Sequence, residues 1–596
     1  MWLPSAAILS DPHLNRDALF VSQVWRELLD ARSPDTYRAR VLDPFLLIEE
    51  LQKVCELAKN DTKWMSHVHS ICAEIADWKL TTDRLDLPAA AKHAIGVISS
   101  STNLKYEDLH RVAESALLVR QLVGEPLYVL LADARSLLDN GFKRKIEFVQ
   151  TLAFIASHAS RLGVRDSILI ELDECSLVCP PEDILDLIAA HLSPEWRDFS
   201  CFLSVTAPIR DMDSLLAGSG FVRIGLPRIE HSVQGVSWHA SHDGGYLTEV
   251  QVKARSSRLA AEGALSNLQA MLSMLSLYAN QSLYRIADQV LVEDAGTYVV
   301  EDVSPAKHYG LFARKDHIRT ARERMRHAGW PVDGRIRNVL GAHALGISAS
   351  DPRAALSHFW TSLEAIAGSL GSGGIGERVA GTIAPIVTSR RVHKIVTYLA
   401  LSIYETRKII GTKLDKGLMP ASTDGYVSRA DVLCCVSGPE DNVGVLDLFK
   451  VVSANPLLCF HLYSFWLEMH DPKLVARAMR RSEQRVKWQI LRIYRARNVF
   501  VHKGGGDELA WRLLENAQSY ISFVLGRLMF DLGSNTGWSV DTALEFERQH
   551  FERLCDCAQR LGADAGLKGS DFLRHLSVTE EDTLVWGAGS RFFKSP

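Results

Sequence analysis

After about Arg335 the chain offers no convincing strand, and this constrains its fold more than any other feature. The helical runs there are Pro352 to Ala367, Val392 to Ile410, Val445 to Val451, Pro456 to Met469, Lys473 to Val501, Glu508 to Asp531 and Val540 to Leu561. Breaks rich in Gly, Pro and Asp separate them: GSGGIG at 371–376, the loop 411–443, HDP at 470–472 and GGGD at 504–507. The pattern predicts a helical bundle over residues 335–562 and a tail over 563–596.

The first part of the chain reads differently. Val21, Val24, Trp25 and Leu28 recur at three- and four-residue steps, as do Phe45, Leu46, Ile48, Leu51 and Val54, so residues 1–120 are expected to be helical. Short apolar runs then suggest strands at Leu127–Leu131, Ile168–Leu172, Cys201–Val205, Phe221–Ile224 and Tyr246–Val252. Helical runs at Arg144–His158 and Asp183–His191 alternate with the first three, which predicts a mixed α/β region over 121–255. A helical connector follows over 256–334, with a hairpin-like interruption near Gly296–Val303. The expected class is mainly α with a mixed α/β part: an N-terminal helical and α/β region, then a C-terminal helical bundle.

Composition bounds the function. Hydrophobic residues make up 47% and charged residues 23%, which excludes global disorder, collagen-like repeats and a multi-span membrane protein. The net charge of -4 means that any nucleic-acid surface is a local patch. The start, MWLPSAAILS, lacks the positive region of a secretory signal. The uncharged stretch Gly263–Tyr284 is interrupted by Asn267, Gln269, Asn280 and Gln281, and its Leu265, Leu268, Leu272 and Leu275 fit a buried helix better than a membrane span. The ten cysteines show no paired CxxC spacing, as expected for reduced thiols. Together these features predict a cytoplasmic protein with no membrane attachment.

The local patch lies at Lys473–Gly506. Lys473, Arg477, Arg480, Arg481, Arg485, Lys487, Arg492, Arg495, Arg497 and Lys503 face a single acid there, Glu483. Such a run suits phosphates, and Arg480, Arg481, Arg485, Lys487, Arg492, Arg495 and Lys503 are its candidate RNA contacts. The plainer reading is a solvated basic helix face. At the end of the run, Asn498 and His502 are i,i+4 neighbours, and Arg495 and His502 share a face at seven residues' separation. Arg497 and His502, five apart, are splayed on an ideal helix unless a second chain completes the site. An imidazole titrating near about pH 6.5 can exchange a proton at neutral pH, and a guanidinium binds phosphate oxygens in a fixed fork. On spacing alone, a histidine favoured by the helix dipole is the better reading of the pattern.

RNVFVH at 497–502 resembles the Arg-x4–6-His motif of HEPN domains, including the polar residue after the arginine. SHFWTSLEAIAG at 357–368 resembles the early helix of the ApeA-like HEPN group, where a Trp and a Leu-Glu pair recur. The resemblance covers roughly residues 335–560. It implies a helical bundle that dimerises, and a metal-independent endoribonuclease of antiphage abortive-infection or toxin-type systems, with transfer RNA as a substrate by analogy. On this resemblance Arg497 and His502 are the catalytic pair and Asn498 the accompanying polar residue; Arg495 fits the longer spacing, and Glu364 matches the Leu-Glu pair. The product is a 2′,3′-cyclic phosphate, and no cofactor or metal is needed. A phage-derived or nucleotide trigger would act at the N-terminal region. A rival reading is a HEPN module that binds RNA or a protein without cutting.

Other signals are weaker. SILIELDEC at 167–175 resembles a strand ending in the acids Asp173 and Glu174 of a nucleotide-hydrolysing enzyme, yet the chain has no GxxxxGK[ST] phosphate loop. His67 and His69, at i,i+2, do not converge on one metal if helical. GSGGIGER at 371–378 follows a helix and reads as a loop, and Asp541, Glu545 and Glu547 read as a solvated acidic face.

Overall fold

A computed structural model describes residues 6–9, 13–29, 43–101, 105–139, 142–162, 164, 168–169, 172, 177–192, 195–206, 220–223, 232–242, 245–279, 284–303, 334–349, 351–368, 370–371, 373–411, 422, 427–437, 443–503, 510–535 and 537–563. Among these, 77% are helical and 8% lie in strands, which makes the chain mainly α with a smaller α/β part.

The N-terminal helices are α1 (Arg16–Leu29), α2 (Pro44–Asn60), α3 (Met65–Asp77), α4 (Ala89–Ser100), α5 (Leu109–Val123), α6 (Pro126–Asp139), α7 (Lys145–Leu162) and α8 (Pro181–His191). They share one apolar core, from Ala18 to Leu192. The helical unit therefore runs well beyond residue 120. The strand expected at Leu127–Leu131 is part of α6. Its buried Leu127, Leu130, Leu131, Ala134, Leu137 and Leu138 follow helical periodicity, and Pro126 opens the first turn. Five residues were too short a window to separate the two periods. Ile168, Leu169 and Leu172 are likewise helical, and Asp173 and Glu174 lie outside the described residues.

The sheet unit follows. Strands β1 (Arg197–Thr206), β2 (Val222–Arg223), β3 (Tyr246–Ala254), β4 (Arg285–Ile286), β5 (Gln289–Asp294) and β6 (Thr297–Asp302) form one antiparallel sheet, ordered β2-β3-β1-β5-β6, with β4 paired to the end of β1. The hairpin expected near Gly296 joins β5 to β6. Ala295 and Gly296 both have positive φ (48° and 86°), the geometry that closes a two-residue turn. Period-two alternation divides the faces of β1. Phe199, Cys201, Leu203 and Val205 pack under α10 (Ser257–Ala279), while Phe202 packs with Trp238 of α9 (Val233–Ser241). Helix α10 and strands β4 to β6 are thus part of this unit, where a separate helical connector was expected.

The C-terminal helices are α11 (Gly334–Ser348), α12 (Pro352–Ala367), α13 (Ile375–Thr388), α14 (Arg391–Ile410), α15 (Arg429–Ser437), α16 (Val443–Val452), α17 (Pro456–His470), α18 (Pro472–Lys503), α19 (Ala510–Ser534) and α20 (Val540–Ala563). Seven were legible from periodicity; α15 falls within the stretch 411–443 read as a loop, α13 begins in the stretch 371–378 read as a loop, and α11 was not among the helical runs. They build two cores. One draws on α11, α12, α13, α19 and the second half of α18, the other on α14 to α17 and the first half of α18. Helix α20 contributes to both. One residue expected on a solvated face proves buried: Glu547 is 1% exposed and accepts from Arg527 Nε at 2.7 Å. Arg527 also reaches Asp531 at 3.2 Å, and burial, with Glu547 nearby, pushes the Asp531 carboxyl up to about 7.

The glycines of 371–376 serve helix entry and close packing. Glu377 Oε2 accepts from Gly374 N at 3.0 Å, opening α13. A Cβ on Gly376 would meet the Tyr494 ring of α18 at 2.8 Å, whereas one on Gly381 of the same helix meets nothing within 4 Å. That ring is itself packed between Trp360 and His67. Gly381→Ala should therefore stabilise by ~0.5–1 kcal/mol through helix propensity. Gly376→Ala should lose that gain to an overpacking cost of ~1–3 kcal/mol. Denaturant midpoints moving the same way for both variants would refute this account of the close approach.

Candidate active site

Helix α18 carries the basic run and the motif. Between Pro472 and Lys503 it contains no glycine or further proline, so nothing in its sequence breaks it. Val475, Ala476 and Met479 anchor its first half, and Val486, Ile490, Ile493 and Ala496 its second. These apolar positions fix which way the cations point.

Six of the ten cations already have acidic partners. Arg492 is 1% exposed; its Nε donates to Glu50 Oε2 at 3.0 Å and its Nη2 to Glu74 Oε2 at 2.6 Å. Arg495, 3% exposed, donates to Glu50 Oε1 from Nε at 2.9 Å and from Nη2 at 2.7 Å. Arg481 and Arg485 both reach Asp77, at 3.1 and 3.4 Å, and the Arg485 guanidinium lies 4.7 Å over the Trp78 ring. Arg480 is held by Glu552 and Glu483, and Lys487 pairs with Glu483 at 2.7 Å. The expectation of an exposed phosphate-binding face is corrected for Arg492 and Arg495. They are buried cations that bind α18 to α2 and α3. Arg480, Arg481, Arg485 and Lys487 keep some exposure but already have acidic partners.

The electrostatics of this junction follow from burial. Burial pushes the Glu50 carboxyl up, but the Arg495 and Arg492 guanidiniums prevail and bring it down to about 2. For Glu74, burial wins over the single guanidinium of Arg492 and the carboxyl is raised. His67, buried beside Tyr494 with ring centroids 5.6 Å apart, is pushed down to about 3 by burial and by Arg495, so it stays neutral.

Arg497 differs from its neighbours. Its Nη1 donates to Asn498 Oδ1 at 3.0 Å, and among the described residues no carboxylate pairs with it. Its Nε is buried without a hydrogen-bond partner. The helix continues unbroken through residue 503, so the Cα positions of Arg497 and His502 are about 140° apart around its axis. The side chains of His502 and Lys503, and residues 504–509, lie outside the described residues.

The other segment of the resemblance lies against this helix. Trp360 of α12 donates from Nε1 to Glu364 Oε2 at 3.0 Å, and its ring centroid lies 5.0 Å from that of Tyr494. Glu364 thus orients a buried indole beside the motif helix. Near the motif's end the Arg353 guanidinium sits 5.5 Å over the Phe500 ring and is held by Asp351 at 3.2 Å.

Sequence reasoning missed Glu50, Glu74, Asp77, Tyr494 and Arg353. Their only signal was position: Glu50 and Glu74 lie among the apolar residues of their helices, and a carboxylate buried there needs a partner. No protein-family model, no curated protein and no solved structure matches the chain.

Proposed function

We propose that the chain is a metal-independent endoribonuclease that cuts RNA at the end of α18, with Arg497, Asn498 and His502 as its working residues and the N-terminal region as its regulator. The observation that carries this reading is the contrast along one helix: Arg492 and Arg495 are consumed by Glu50 and Glu74, while Arg497 has no acidic partner among the described residues. The resemblance at 497–502 and 357–368 supports it, as does the packing of Trp360 against Tyr494.

The reaction joins the ribose 2′-oxygen to the neighbouring phosphorus and breaks the bond from phosphorus to the 5′-oxygen. One His502 imidazole takes the 2′-hydroxyl proton and a second, from a partner copy, gives a proton to the leaving 5′-oxygen. Arg497 holds the crowded anionic phosphorane through its two-pronged fork. Because one helix splays Arg497 from His502, the working form is a homodimer. The biological setting proposed is antiphage defence of the abortive-infection or toxin type, with transfer RNA as the substrate class.

The test incubates purified protein with end-labelled RNA in excess EDTA and records protein mass at the same concentration. Cleavage leaving 2′,3′-cyclic phosphate ends, by a dimer, is the expected result. Activity lost in chelator and restored by a divalent ion overturns the metal-free route, and full activity from a monomer overturns the paired site. RNA bound but never cut fits the non-catalytic module. Arg497→Ala should lower turnover by about 10²- to 10³-fold, the usual cost of one lost transition-state donor. Arg497→Lys should recover little of it, because an ammonium lacks the fork. A lysine variant as fast as wild type shows that charge alone suffices.

A further inference from the structure

The N-terminal helical unit holds a cleft of about 260 Å³ where it meets the sheet unit, formed by α2, the end of α5, the turn into α6, the end of α7 and the residue after β3. Phe45 and Val119 lie beneath its floor but are almost wholly buried, so the surface it opens to a ligand is mostly polar. Its charged lining comprises Glu49, Arg120, Glu125, His158, Arg161 and Arg255.

Arg161 and His158 already have acidic neighbours. Arg161 Nη1 donates to Glu49 at 3.2 and 3.3 Å. His158 Nε2 lies 2.9 Å from Asp43 Oδ2, and the other Asp43 oxygen accepts from the amides of Phe45 and Leu46 at the start of α2. Arg120 and Arg255 stand apart. Arg120 donates to the neutral amide of Gln52 at 2.8 Å, and the Arg255 guanidinium lies 5.3 Å over the Trp196 ring. Neither pairs with a carboxylate among the described residues. Once the internal pairs are removed, two guanidiniums and one carboxylate, Glu125, remain in a concave, mostly polar space. A site of this shape and charge takes a small anion whose oxygens a guanidinium fork can hold.

We propose that this cleft binds a small organic anion, a phosphate or carboxylate, with Arg120 and Arg255 as its anion contacts. Arg120 belongs to the helical unit and Arg255 to the sheet unit, and beside them Ser256 of the sheet unit donates to Leu162 O of the helical unit. The ligand therefore bridges the two units. Helix α2 carries Glu49 in the cleft and, at the next position, Glu50 in the ion pairs to Arg492 and Arg495. Occupancy of the cleft thus bears on α18; that consequence for RNA cutting rests on the function proposed above, whereas the binding site does not.

Isothermal titration calorimetry of the full-length protein tests the site without reference to nuclease activity. The probes are phenyl phosphate and benzoate, which carry the two anionic groups, and benzyl alcohol, which carries none. One site per chain is expected, and phenyl phosphate or benzoate should bind more tightly than benzyl alcohol; whichever binds better names the anionic group. Arg120→Ala and Arg255→Ala should each weaken binding by roughly tenfold or more, the loss of one charge-assisted contact. Arg111→Ala, on an exposed turn of α5 outside the cleft, should leave it unchanged. Both cleft arginines lie outside the buried core, and circular dichroism of each variant checks the fold. No binding by any probe at millimolar concentration overturns the proposal, as does equal binding by the Arg120→Ala/Arg255→Ala double variant. Binding that persists in a protein with no RNA cleavage leaves the site intact and removes only its link to the nuclease.

Discussion

Glu50→Ala is expected to cost about 3–5 kcal/mol of stability, the usual consequence of removing one partner from a buried ion pair. Among the described residues, Glu50 is the only acid paired with Arg495 and one of two paired with Arg492, and both guanidiniums are almost wholly buried. Without it Arg495 faces the interior as an unpaired cation, a penalty larger than the net gain the pair itself supplied. The variant should also loosen α2 and α3 from α18, since Glu50 joins helices 442 residues apart in sequence. Glu50→Gln keeps the volume but loses the charge and should fall between wild type and alanine. Chemical denaturation followed by circular dichroism measures the effect, and a loss below about 1 kcal/mol would show that Arg495 finds solvent or another partner instead.

The same carboxylate gives a pH signature. Its folded pKa is depressed, from 4.5 to about 2, so its contribution is fully present above about pH 4.5 and disappears as pH falls towards 2. Glu74, raised by burial, acts in the opposite sense and favours the folded state at the acid end. In Glu50→Gln the acid-side loss of stability should become shallower, because the group that must take up a proton is gone.

His502→Ala is expected to abolish RNA cleavage, lowering the rate by roughly two to four orders of magnitude, the range for a lost general acid or base. No other histidine lies in the basic run, so no neighbour on α18 can replace the imidazole. The substitution sits at the last turn of the helix, beyond the apolar positions that anchor it, and should leave the fold unchanged. A folded variant that still cuts at the wild-type rate would remove His502 from the mechanism and leave the binding module as the better reading.

Much of the C-terminal architecture was legible because its cause is local. Leu356, Phe359, Trp360 and Leu363 repeat at three- and four-residue steps over several turns, and Pro352 opens their helix behind the Asp351 cap. The segment at Leu127–Leu131 failed for the complementary reason: a five-residue apolar run satisfies strand and helix alike until the next two turns of α6 are included. The candidate site divided in a similar way. Arg497, Asn498 and His502 could be chosen by spacing on a single helix. The fate of Arg492 and Arg495 could not, because Glu50 and Glu74 lie more than 400 positions away.

By itself, then, the sequence determined where α18 runs and that ten cations ride on it, because helix formation depends on residues three and four apart. Only the tertiary structure decided which of those cations are buried among carboxylates and which lack an acidic partner. Desolvation and ion pairing depend on what packs against a residue, and for Arg492, Arg495 and Arg497 that differs within a turn and a half of one helix.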